Sequence, residues 1–259
     1  MKSLKDTILE KLKVDDIINS DILSPELRVK YELIYNPKTD CYDSNRDIKV
    51  EDDLIKAGHF ICKFGVIKGD FDCMNLYSLT SLEGAPKIVG GDFSCVNCNL
   101  ETLQGAPEKV GGNFWCNNCD GLKSLKGAPK EVGGSFTCST CGVLNSLNGA
   151  PEYVGENFNC NNCLALKTLA GAPREVGEDF SCIECNSLKT LEGAPKEVGK
   201  DFYCSSCNSL KSLKGAPEKV GGDFYCANCN DLRTVEDAPK GVSGEFKCHN
   251  CKRLSDYNK

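Results

Sequence analysis

The stretch Ser212–Cys229, SLKGAPEKVGGDFYCANC, decides how the rest of the chain is read. It ends in a Cys-x-x-Cys pair, and close copies place a leading cysteine at Cys73, Cys95, Cys116, Cys138, Cys160, Cys182, Cys204, Cys226 and Cys248. The step is 22 residues, with one step of 21 where a residue is missing between Cys98 and Leu100. Self-similarity at such a period marks a repeat architecture, and the repeat governs every later assignment. Nine units run from Val66 to Leu254 with the shared wording Val-Gly-Gly-x-Phe-x-Cys-x-x-Cys-x-x-Leu-x-x-Leu-x-Gly-Ala-Pro.

Two residues apart, Phe224 and Cys226 point to the same side of an extended strand. Gly-Gly and Gly-Ala-Pro leave no room for a long helix. The return leg is therefore turn, extended chain or a single helical turn opened by the proline. One strand with one short return cannot bury its own apolar side, whereas stacked neighbours can. The expectation is a solenoid of parallel strands ~4.8 Å apart around a continuous core.

The run Val220, Phe224, Cys226, Cys229, Leu232 resembles the signature of leucine-rich repeats, with a four-residue step from Val220 to Phe224 as a departure. The unit length is closest to the short bacterial type. The wording SLxGAPxxVGGxFxC looks like leucine-rich repeat proteins of large bacteriophages and gut bacteria, and it covers about three quarters of the chain. The resemblance implies an α/β-class leucine-rich repeat solenoid with a parallel β-sheet on its concave face and a mostly non-helical convex side. It also implies that the second cysteine of each pair turns inward to bond neighbouring backbone. A bacterial or phage-infected cell is the implied setting.

Both cysteines of a unit read as buried small hydrophobic side chains. The competing reading is a thiolate-rich zinc solenoid, since Cys-x2-Cys is half of a four-thiolate site. Against zinc, a solenoid spreads its pairs along an axis, and Cys73 has Leu76 rather than Cys three residues on. Redox chemistry of the thioredoxin kind needs a helix start that the repeat does not offer. No metal ligand and no cofactor is assigned.

A net charge of -6 gives no basic stripe, so nucleic acid is not an expected partner. No run approaches the ~20 apolar residues that span a bilayer. The opening MKSLKDTILEKLKV lacks the apolar segment of a secretory signal, so a cytoplasmic, reducing location is expected. Catalysis needs a unique group of residues, but most polar residues repeat with the array. The only histidines, His59 and His249, sit near opposite ends, and each Gly-Gly precedes a strand rather than a helix. No catalytic residue is assigned and the chain is expected not to be an enzyme.

Residues 1–65 read as a small α+β N-terminal cap, and 66–259 as the solenoid. Within the cap, Ser3, Leu4, Ile8, Leu9 and Leu12 predict an amphipathic helix. Val29, Tyr31, Leu33 and Tyr35 predict a strand, and Ile48 with Val50 a degenerate strand continuing the stack. Cys41 and Cys62 fall outside the repeat and are read as ordinary thiols. No C-terminal cap is expected, which leaves a strand edge open to self-association.

Function is sought where the repeat leaves positions free. The residue between Phe and Cys varies from unit to unit and includes Trp115, Tyr203 and Tyr225, residue types that anchor protein interfaces. The residue before each Phe is acidic in six of nine units, Asp179, Asp201 and Asp223 among them. These carboxylates serve either local turn chemistry or an acidic stripe for a basic partner. The expected activity is binding of a protein through the concave face. An assembly component that uses the array as a spacer is the alternative of a different class.

Overall fold

The computed structural model describes residues 23–257, so the helix expected around Leu4–Leu12 lies outside the described residues. Each unit makes one turn of a β-solenoid, and each turn carries two short strands rather than one. The first ends on the valine, as in Lys219–Val220, and the second starts on the phenylalanine, as in Phe224–Tyr225. Each strand pairs in parallel with its counterparts one turn away and in register, Val198 with Val220 and Phe202 with Phe224. The valine strands join a sheet of eleven strands and the phenylalanine strands a sheet of ten.

The glycines explain why there are two sheets. Gly221–Asp223 stands outside both strands and turns the chain between them, which accounts for the four-residue step from Val220 to Phe224. At this corner successive turns approach so closely that a Cβ on Gly199 would lie 2.0 Å from the Gly177 carbonyl oxygen. A side chain between two interior turns would push them apart there. After the phenylalanine strand the chain turns through a left-handed residue, Asn228 at φ 59°. Asparagine fills that place in six units and tolerates the conformation better than most residues because its short side chain bonds nearby backbone.

Valine, phenylalanine, both cysteines and both leucines of the interior turns form buried columns along the axis. Phenylalanine rings stack face on face, Phe202 and Phe224 with centroids 5.1 Å apart and planes 2° apart. Such a pair contributes ~0.5–1.5 kcal/mol beyond burial alone.

At the N-terminal end the expected strand over Val29–Tyr35 is corrected. Helix α1 occupies Pro25–Lys30, and only Ile34–Asn36 (β1) is strand. The Ser24 hydroxyl accepts from the Leu27 amide, Pro25 opens the first turn, and Arg28 and Lys30 close the last one. These capping signals outweigh a short apolar alternation. Strand β2 (Cys41–Ser44) pairs with β1 antiparallel and with Phe64–Ile67 parallel. Strand β3 (Ile48–Lys49) pairs parallel with Phe71–Asp72, as the degenerate strand at Ile48 predicted. The chain thus enters both sheets before the first cysteine-bearing unit.

At the other end a short helix follows the last described turn, which stays largely exposed. Helix α2 spans Lys252–Tyr257, and Leu254 packs on the core. Gly241–Val242 and Phe246–Lys247 remain the end strands of their sheets, and Phe246 is 39% exposed.

Candidate functional site

The cysteines are committed to the backbone. In all eight pairs the second thiol donates to the carbonyl of the preceding turn's first cysteine, from Cys98 on Cys73 at 3.1 Å to Cys251 on Cys226 at 3.3 Å. Thiol columns thus run through the core as hydrogen-bonded rungs. Burial pushes the Cys62 and Cys163 thiols up to about 12, and Cys116 and Cys138 well above the usual range. Among the described residues no three or more His, Cys, Asp or Glu side chains are grouped to hold a metal ion. Of the nineteen cysteines only Cys248 is not buried. A thiol reagent at pH 8 is therefore expected to label the native chain at Cys248 alone, and the others only after unfolding. Rapid labelling at several interior cysteines would contradict this packing.

A second ladder explains the acidic column. Asp70 Oδ1 accepts from the Asp92 amide at 2.8 Å, and Asp92 Oδ1 from the Asn113 amide at 2.7 Å. The pattern continues through Asn113, Ser135, Asn157, Asp179 and Asp201 to Asp223, whose Oδ1 accepts from the Glu245 amide at 2.8 Å. The expected local turn chemistry is corrected: these side chains do bond backbone amides, but the amide served belongs to the next turn rather than to the same corner. Each position needs a short side chain with an acceptor oxygen, which selects Asp, Asn or Ser. Glu245 stands in the last described turn, where no following amide is seen on its side chain, and there the longer side chain appears.

The structure separates the predicted site residues into two groups. Tyr203 and Tyr225 lie on adjacent turns and stack at 4.6 Å, both half-buried. Trp115, also half-buried, is four turns away along the same sheet face, ~19 Å at the usual strand spacing, with Thr137, Asn159 and Ser181 between. The tyrosines meet the carboxylates: Tyr203 OH donates to Asp201 Oδ2 at 2.6 Å and Tyr225 OH to Asp223 Oδ2 at 2.8 Å. Asp179 carries the next rung down, with Ser181 rather than an aromatic beside it.

Lys247, which the sequence reading left aside, completes the group. Its Nζ donates to Asp223 Oδ2 and to Tyr225 OH, and sits 4.7 Å from the Tyr225 ring centroid. Its place in the same outward column was the available signal. The Lys247 ammonium, the Glu245 amide and the Tyr225 hydroxyl hold the Asp223 carboxyl down at about 2, against ~3.9 for a free side chain. The sign follows from a depressed folded-state value: the clasp is complete above the free value and is lost as pH falls through about 2. A carboxyl carbon titration of Asp223 is expected to show that low midpoint; a midpoint near 4 would mean that the clasp does not persist in solution.

An open groove of about 520 Å³ runs over the other sheet, with Tyr153, Glu175, Glu197 and Lys219 among its lining residues. These are the outward residues of the valine strands, a column the sequence reading did not single out. Lys219 pairs with Glu197 at 2.6 Å across one turn. No helix among the described residues is long and apolar enough to cross a membrane. Comparison with known protein families, curated proteins and solved structures finds no match for this chain.

Proposed function

We propose that this chain is a non-catalytic solenoid of the leucine-rich repeat kind that binds another protein through the outward face of its phenylalanine sheet. One observation carries the reading. The inward residues of each turn, the corner glycine and the ladder residue repeat one structural task and one narrow residue type, whereas the residue after each phenylalanine changes in kind from turn to turn. That variable column holds Trp115, Tyr203 and Tyr225. Rings held by a rigid sheet give contact area at low entropic cost, as interface anchors do. Asp201 adds negative charge beside Tyr203 and Asp179 adds it one turn further along, while Asp223 already shares its charge with Lys247; these carboxylates favour a partner segment with basic residues.

The relation to leucine-rich repeats is supported by the second cysteine, whose inward thiol bonds the preceding turn as that resemblance implies. In this reading the phenylalanine face takes the part of the concave surface. The partner is a host protein met inside a bacterial cell, following the phage-like wording. The test is capture from bacterial lysate by the native chain and by the Trp115→Ala, Tyr203→Ala, Tyr225→Ala variant. A single protein retained by the first and lost by the second, with unchanged thermal unfolding, supports the reading. Equal recovery, or none from either, removes it.

Exposed Phe246 on an end strand favours a second reading, assembly with another copy through the C-terminal end. Sedimentation velocity across a hundredfold concentration range decides it: concentration-dependent association abolished by Phe246→Glu supports assembly, and a monomer throughout rules it out.

A further inference from the structure

The last cysteine pair differs from the other seven because it lies at the edge of the described stack. In interior turns the thiol of a first cysteine can reach a carbonyl one turn ahead, as Cys73 does on Ser94 at 3.0 Å and Cys160 on Ser181 at 3.4 Å. Among the described residues no turn follows Phe246–Lys247, and Cys248 finds no such acceptor there. Its sulfur instead lies 3.7 Å from that of Cys251 in the same unit. The same missing turn uncovers it, and Cys248 is the only half-exposed cysteine of the chain.

Contact and access thus coincide at one Cys-x-x-Cys. From 3.7 Å the sulfurs need only a small side-chain movement to reach the ~2.05 Å of a disulfide. Asn250, between them, already holds the left-handed backbone that brings the two cysteines to one side.

We propose that Cys248 and Cys251 form a redox-active dithiol at the C-terminal end of the solenoid, which takes up oxidising equivalents from small-molecule disulfides. Cys248 Sγ attacks the small disulfide, forming a mixed disulfide and breaking the original S–S bond; the expelled thiolate takes the Cys248 proton. Cys251 Sγ then attacks the Cys248 sulfur, and the second small thiolate leaves with the Cys251 proton. Two protein thiols are oxidised by two electrons, and one small disulfide becomes two thiols. Closing the bond draws Cys251 from its rung on the Cys226 carbonyl, so oxidation trades the final rung of the ladder for a covalent link.

The test uses the full reduced chain and glutathione disulfide, with acid quench, alkylation after unfolding and peptide mass mapping. The expected result is a cross-linked Cys248–Cys251 peptide with no retained glutathione, while the interior cysteines remain alkylated. Cys251→Ser is expected to stop at a glutathione adduct on Cys248, and Cys248→Ser to take up none. A stable adduct on Cys248 of the native chain, oxidation of interior pairs at the same rate, or no reaction at either cysteine would each overturn the proposal. The native-chain arms decide it even if a variant folds poorly.

Discussion

Replacing Gly199 with alanine is expected to destabilise the solenoid by about 3 kcal/mol or more, at the upper end of overpacking penalties, because the obstruction is backbone rather than a side chain that can move aside. The new Cβ would sit 2.0 Å from the Gly177 carbonyl oxygen and 2.8 Å from its carbon. Relief requires the two turns to separate at the corner, which stretches the amide bonds from Gly199 to the Val176 carbonyl and from Gly221 to the Val198 carbonyl, both 2.9 Å. Glycine holds this place from Gly90 to Gly221 and gives way to Lys68 and Ser243 only in turns near the two ends. The second corner position supplies the control. Glu156, Glu178 and Lys200 already occupy it in three turns, and the nearest group to a Cβ on Gly222 is the Asp201 carboxylate, with backbone no closer than 3.1 Å. Gly222→Ala should therefore cost less than Gly199→Ala, because a side chain rather than backbone has to give way. Urea unfolding of the two variants measures the difference; equal midpoints would mean that close approach at the first glycine does not set the corner.

That corner also shows where the sequence stops being legible. The 22-residue period, the inward set Val220, Phe224, Cys226, Cys229 and Leu232, and the turn at Asn228 follow from patterns within one unit. All are found in place. The second strand of each turn was missed because Gly-Gly reads equally as the approach to a strand and as a corner between two. Only the distance to the neighbouring turn separates those meanings, and that distance is not a property of one unit. The carboxylate ladder was half read for the same reason: the residue type was right for bonding an amide, but the amide belongs to the residue 22 positions on. Helix α1 was missed for a local reason. Four alternating apolar residues over Val29–Tyr35 were read without the Ser24 cap, Pro25 and the charge gradient just before them, and Val29 proves 47% exposed. Trp115 and the tyrosine pair share a column, but a column says nothing about whether its members touch. Three turns of small polar residues keep them apart.

Truncating Phe158 to alanine is expected to cost about 3–5 kcal/mol, the range for deleting a buried aromatic ring. The ring is fully buried and lies between Phe136 at 5.4 Å and Phe180 at 5.3 Å, so one substitution breaks two stacked contacts and leaves a void on the axis. In a solenoid each turn touches only its neighbours, so stability is a chain of local interfaces rather than one shared core. A gap at Phe158 should therefore divide the array. The turns on either side lose each other's support, and denaturant unfolding should broaden or split instead of shifting as one transition. Phe246 makes the comparison: it has one ring neighbour, Phe224 at 5.4 Å, and is already 39% exposed, so Phe246→Ala should cost about 1 kcal/mol and leave a single transition. Amide exchange reads the same contrast by position. Phe158→Ala should raise exchange in the amides of Phe136 and Phe158, whose acceptors Asn157 and Asp179 lie beside the gap, while amides near Phe224 keep their protection. Equal losses from the two substitutions would mean that the phenylalanine column does not couple the turns, and the burden would pass to the glycine corner and the cysteine rungs.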